Sequence, residues 1–108
     1  MANTYKNKFL DASNTGVLDI YTATGVTAIV QSIHVANISD ASNDNITIQI
    51  YDNGASTAYK LISEVIIPVN TAFNVVDRPL VLEASDKIQV QAEEADDFHV
   101  TVSVLEIS

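Results

Sequence analysis

This 108-residue chain predicts an all-β fold: an antiparallel two-sheet β-sandwich of about eight strands, jelly-roll or immunoglobulin-like in topology. Three observations lead there. Val and Ile number 25 against 6 Leu, and side chains branched at Cβ, which are stiff at χ1, fit pleated strands better than helices. No stretch sustains a helical period, whereas apolar and polar residues alternate in short runs separated by clusters of turn formers. The even, short spacing of those runs suits a sandwich or barrel and not a parallel sheet.

Residues 26–38 form the longest β-type run, with no Gly or Pro inside, and are expected as the central strand. Val26, Ala28 and Val30 fall on one side of it, and Ile29, Ile33 and Val35 on the other. Strict alternation would bury first one face and then the opposite one, so a bend or twist midway is expected. Ahead of it, residues 1–10 read as an N-terminal arm or edge strand with Tyr5 and Phe9 as its large apolar anchors, and residues 11–108 as one sandwich domain. Turn chemistry at residues 11–16 precedes a strand at 17–22, and Ala23, Thr24 and Gly25 turn into the central strand.

Residues 39–45 are all turn formers and predict an exposed loop. Ile46, Ile48 and Ile50 then alternate with Thr47, Gln49 and Tyr51, the pattern of a half-buried strand ended by Asp52, Asn53 and Gly54. Residues 59–67 form another strand, stopped by Pro68, which removes a ladder donor. Residues 73–76 and 80–82 read as short edge or corner strands, broken apart by Asp77, Arg78 and Pro79. Beyond a turn at 83–86, Ile88, Val90 and Ala92 alternate with polar residues. The acidic tip at 93–97 leads into Phe98, Val100, Val102 and Val104, and these last two strands are expected to pair as a hairpin.

Composition narrows the chemistry. The chain has no Cys, which removes disulfides, thiolate nucleophiles and most structural zinc sites and leaves stability to apolar packing or oligomerisation. The first ten residues lack the apolar core of a signal peptide, so an intracellular origin is expected, and no run approaches the ~18 apolar residues of a membrane helix. A net charge of −9 opposes binding to phosphate backbones, so no nucleic-acid partner is expected.

No catalytic site is expected either. His34 and His99 lie on strands with no obvious acid beside them. Ser32, Thr101 and Ser103 lack the sharp turn that exposes a nucleophile. Asp19, Glu64, Asp77, Glu83 and Glu106 are scattered, and with no Trp the chain offers little platform for sugar stacking. Residues 40–51 begin like a calcium loop but carry Asn45 at the sixth position and Tyr51 at the twelfth, where Gly and a bidentate Glu belong. That loop and the 93–97 tip are expected to be solvated acidic surface, with no metal and no cofactor.

Residues 25–37, residues 62–68 and the run Arg78-Pro-Leu-Val-Leu-Glu-Ala-Ser-Asp-Lys-Ile-Gln-Val90 resemble, in the same order, small structural proteins of tailed bacteriophages. Those proteins share a "thr-ala-ile-val" strand, a "pro-leu-val-leu-glu-ala-gly-asp" corner and a closing "val-ser-val-leu-glu" strand. Ser85 stands here where Gly is commoner. The resemblance implies a non-enzymatic virion component, assembled in the host cytoplasm. Its implied role is a capsid decoration or cement protein that binds the outer capsid across capsomer junctions and stabilises the head. The alternatives are a neck, tail or fibre accessory, or a receptor- or glycan-binding module presenting the loops at 40–45, 52–57 and 93–97. The expected partners are the major capsid protein or other virion proteins and further copies of the chain, with a homotrimer favoured because local threefold points present three similar surfaces to a closed ring. Tyr5, Lys6, Lys8 and Phe9 are the expected partner-binding residues, since an arm can add a strand to a neighbour's open sheet edge.

Overall fold

The computed structural model describes residues 3–41, 43–76 and 78–107. Among them run nine strands and no helix: β1 (Asn3–Asp11), β2 (Leu18–Thr22), β3 (Thr27–Asn37), β4 (Asp44–Asp52), β5 (Thr57–Ile67), β6 (Ala72–Asn74), β7 (Leu80–Leu82), β8 (Lys87–Ala92) and β9 (Phe98–Ile107). They form two antiparallel sheets, a β-sandwich as the composition predicts. Sheet I has the order β1-β9-β3-β6, with β7 also on β3, and sheet II has the order β2-β8-β4-β5. β6 and β7 are two halves of one interrupted strand along the outer side of β3.

The connectivity is that of a single long ribbon folded at the β4–β5 turn. β4 pairs β5, β3 pairs β6 and β7, β2 pairs β8, and β1 pairs β9. Winding that ribbon on itself brings β9 against β3 and β8 against β4, which closes the two sheets. The core lies between them, built from Phe98, Ile33, Ile46, Ile48, Leu82, Ile88 and the valines at 30, 35, 90, 100, 102 and 104, all fully buried. Each such side chain contributes roughly 1.5–3 kcal/mol by leaving water.

The parity problem in the central strand is solved by one extra residue. In the β3–β9 ladder Val30 faces Val104 and Ser32 faces Ser103, so Gln31 has no partner and bulges out, exposed. Below the bulge Ala28 and Val30 point inward; above it Ile33, Val35 and Asn37 do. The expected bend is thus a β-bulge that keeps both halves buried on one face. β5 departs further from its expected alternation. Two register shifts against β4 leave Leu61 and Ile62 both half-buried, and Glu64 at a φ of 51°.

The expected hairpin between the last two strands does not form. β8 lies in sheet II and β9 in sheet I, and residues 93–97 cross between the sheets. The Glu93 amide donates to the Asn45 carbonyl at 3.0 Å, the Ile38 amide to the Asp97 carbonyl at 2.8 Å, and the Asp96 amide to the Ala12 carbonyl at 2.7 Å. Alternation specifies which face of a strand is buried and not which strand lies beside it, and five residues can either turn a hairpin or span the ~10 Å between packed sheets. In the turn before β8, Ser85 adopts a φ of 76°, the left-handed region that explains why Gly is commoner at such a corner. Asp86 holds this turn by accepting from the amides of Glu83 and Asn53, each at 3.0 Å.

Deleting Gln31 should abolish cooperative thermal unfolding, because either Ala28 and Val30 or Ile33 and Val35 must then face water. Gln31→Ala should leave the melting midpoint nearly unchanged. A cooperative melt for the deletion, followed by circular dichroism, would contradict this reading of the bulge.

Candidate docking face and edge

The outward faces of the two sheets differ in kind. On sheet II, the row Asp19, Gln89, Gln49 and Lys60 crosses four strands in register. Gln49 Nε2 donates to Gln89 Oε1 at 2.7 Å, Gln89 Nε2 donates to Asp19 Oδ1 at 2.9 Å, and Lys87 Nζ reaches Asp19 Oδ2 at 3.4 Å. Lys87 also lies over the Tyr51 ring, 6.0 Å from its centroid. This face satisfies its own polar groups and suits water.

Sheet I carries no such ladder. Val81, Ile29, Leu105 and Tyr5 form one row across β7, β3, β9 and β1. Tyr5 is 72% and Val81 64% exposed, so this apolar row is open to solvent. Uncharged residues fill the next rows: Ser32, Ser103 and Asn7, with Ser103 Oγ donating to Asn7 Oδ1 at 2.7 Å, then Asn74, His34, Thr101 and Phe9. The last row holds Ala72, Ala36, His99 and Asp11, and among the described residues of these four rows Asp11 is the only carboxylate. In a chain of net charge −9, one sheet face with a single acid at its corner is a marked asymmetry. Other exposed apolar side chains, among them Val17, Ile38, Tyr59, Ile66 and Phe73, stand on loops or edge strands.

The four expected partner-binding residues all lie on β1, which forms a bulge-free nine-residue ladder with β9 and is the outermost strand of sheet I. Tyr5 and Phe9 project from the outer face. Phe9 borders a shallow hollow of about 300 Å³ with Leu10, Asp11, His99, Val100 and Thr101. Lys6 and Lys8 lie on the core side of the sheet, opposite Val104 and Val102, but at the rim, where they remain exposed. Lys6 Nζ sits 3.1 Å from Glu106 Oε1, and Glu106 Oε2 accepts from the buried Tyr21 hydroxyl at 2.6 Å. The Tyr21 bond and then Lys6 hold the Glu106 carboxyl below its usual range, while burial and Glu106 push the Tyr21 phenol up. That chain of contacts anchors β1 to sheet II. Among the described residues, Lys8 has no ion-pair partner.

The remaining candidates are dispersed. His34 and His99 share the outer face of sheet I, and His99 lies in register with Asp11, an acid that sequence proximity did not bring near it. Asp19 belongs to the polar ladder, Glu106 to the Tyr21 network, Glu64 to a bulge and Glu83 to the corner turn, while Asp77 and Ser42 lie outside the described residues. Two of the three loops weighed as a binding surface, 40–45 and 93–97, meet at one end of the sandwich. The third, at 52–57, lies at the opposite end beside Asp86.

At the shared end, the buried Asp44 carboxyl faces that of Asp97, with Glu93 and Glu94 nearby. A hydrogen bond with Asp97, burial and the repulsion of these acids push Asp44 up to about 6. With both groups ionised no donor lies between them, which agrees with Asp44 Oδ2 lacking a hydrogen-bond partner. Among the described residues, no three His, Cys, Asp or Glu side chains converge to hold a metal ion. A carboxyl that binds its proton more tightly folded than unfolded contributes stability that is present below pH 3.8 and lost as pH rises through about 6. Asp44→Asn should therefore raise the melting midpoint by a few degrees at pH 7.5, and the gain should shrink toward pH 4. A gain independent of pH would contradict the shared proton.

No family model and no curated protein matches the chain. Solved structures do match its fold. A chain in the acid-stable capsid of Helicobacter pylori bacteriophage KHP30 superposes with a TM-score of 0.59 at 8% identity, covering 98% of this chain and 87% of that one. Two structures of infectious bursal disease virus, the Gx strain and the VP2 subviral particle, match with a TM-score of 0.53 each, at 10% and 12% identity. They cover 96% and 98% of this chain but only 33% and 30% of theirs, so the sandwich corresponds there to about a third of a larger chain. The chain has the β-sandwich fold found in these viral capsid structures.

Proposed function

We propose that this chain is a non-enzymatic virion structural protein, a decoration or cement subunit. In this reading it binds the outer capsid across capsomer junctions, with the nearly uncharged face of sheet I against the shell and the polar face of sheet II toward solvent. The contrast between those two faces carries the reading. Apolar and uncharged polar groups lose little on desolvation, whereas the Asp19–Gln89–Gln49 ladder would have to give up water it already organises. Eleven residues of strand by four strands span roughly 600 Å², and flanking loops bring that near the ~800 Å² per partner of a standard interface.

Fold and topology support the same role. The capsid chain of KHP30 is nearly as short as this one, whereas the birnavirus chains add large further regions around the sandwich. The folded-ribbon pairing of β1 with β9, β2 with β8, β3 with β6 and β7, and β4 with β5 supports a jelly-roll reading of the sandwich, an architecture found among viral capsid domains. A subunit bridging capsomers adds binding free energy that capsid expansion must overcome. A trimer at a local threefold point suits this geometry, because it closes through contacts between unlike patches. The separation of the 52–57 loop from the other two favours a face over a loop cluster as the binding surface.

In purified particles the chain should be present at a copy number comparable to the major capsid protein, by quantitative mass spectrometry. A few copies per particle would move it to a vertex, neck or tail, and absence would overturn the proposal. The double variant Tyr5→Asp and Val81→Asp, at highly exposed positions, should keep its melting midpoint within a few degrees and lose cosedimentation with capsids.

A further inference from the structure

Three of the four sheet edges are blunted. β2 has five residues and a register shift between Asp19 and Tyr21. β5 carries two bulges, with Lys60 and the positive-φ Glu64 along it. The far side of β3 is covered by two three-residue strands with Pro79 between them. Short, bulged or proline-broken edges resist pairing with other chains. β1 is different: nine residues pair with β9 without a register shift, and the other side of β1 is open. On that side alternate residues offer both N–H and C=O to a further strand.

A second copy of β1 is a poor occupant. Antiparallel pairing about a twofold axis aligns equivalent faces, so the long registers centre on Lys6, Asn7 or Lys8 and use residues 3–9, 3–11 or 5–11. The first sets Lys6 against Lys6, the second sets Lys6 against Lys8, and the third sets Lys8 against Lys8. Each places like charges directly opposite, which destabilises the pair. Other strands of the chain fit no better, since none of them holds two acids at the two-residue spacing of the lysines; the two acids of β4, Asp44 and Asp52, stand at its opposite ends.

We propose that the open edge of β1 is a strand-addition site for an extended acidic segment of a different protein. Such a segment places carboxylates opposite Lys6 and Lys8 on one side of the sheet and apolar groups beside Tyr5 and Phe9 on the other. Lys8 supplies the freer charge: Lys6 is in close ion-pair contact with Glu106, whereas Lys8 acts on that carboxyl only at longer range. Two of the five basic residues of the chain thus stand on one edge strand, where they repel a second copy and attract an acidic partner. The inference rests on the reading that this side of the molecule meets another virion protein.

The test uses the full chain and a fluorescein-labelled octapeptide alternating glutamate and valine, with a lysine–valine octapeptide as control. Fluorescence anisotropy should show saturable binding of the acidic peptide alone, weakened about tenfold or more by Lys8→Glu. Slowed amide exchange on binding should be confined to β1 and the peptide. Circular dichroism should show Lys8→Glu folded, since Lys8 is exposed. Binding of neither peptide would mean that the lysines only keep the edge unpaired, and would overturn the proposal. Equal binding of both peptides, or protection at β2, β5 or β7 instead, would overturn it as well. No capsid enters this assay, so peptide binding without capsid cosedimentation would count against the decoration role alone.

Discussion

Everything in this molecule follows from the requirement that each strand keep one parity of side chains in the space between two sheets. A strand can change the buried parity only by inserting a residue, and β3 does so once, at Gln31. Below the insertion Ile29 is released to the outer face, where it joins Val81, Leu105 and Tyr5 in a row. Above it Ile33 and Val35 are drawn into the core, leaving Ser32, His34 and Ala36 outside. The packing constraint inside therefore sets the chemistry outside: an apolar row at one end of sheet I and a polar field with little charge over the rest.

Charge completes the division. The acids of this strongly acidic chain lie mainly on sheet II, the corner turns and the end loops, where Asp19 is hydrogen-bonded across the sheet and Asp86 braces a corner. At the end where Asp44 meets Asp97, acids are crowded closely enough that one holds its proton into the mildly acidic range. Net charge of this size opposes nonspecific association. A face nearly free of that charge is then the surface on which another macromolecule loses least by docking, and the cationic edge of β1 borders it.

The sequence shows some of this plainly and hides the rest for identifiable reasons. Alternation in Ile46 to Ile50, Ile88 to Ala92 and Phe98 to Val104 announces buried faces directly, because period two is a local property of a strand. The parity switch in residues 26–38 announces a bend, though not that Gln31 would be its site. Ser85 at a corner where Gly is commoner marks a turn whose left-handed backbone the structure contains. Strand partnership is nonlocal, which is why β8 and β9, neighbours in sequence, lie in different sheets. The proposed docking face is nonlocal for the same reason. Tyr5, Ile29, Val81 and Leu105 are far apart in the chain, and only the register of four strands makes them one row. Lys6 and Lys8 stand out in sequence as a basic pair, but their meaning depends on β1 being the one unblunted edge.

The most direct measurement is hydroxyl-radical footprinting of the chain on intact particles against the free protein. We expect protection at Tyr5, Phe9, Leu105 and Ile107, with Tyr51 and Tyr59 of sheet II as reactive on the particle as off it. Protection of Tyr51 and Tyr59 with Tyr5 and Phe9 left open would contradict the assignment of sheet I as the docking face.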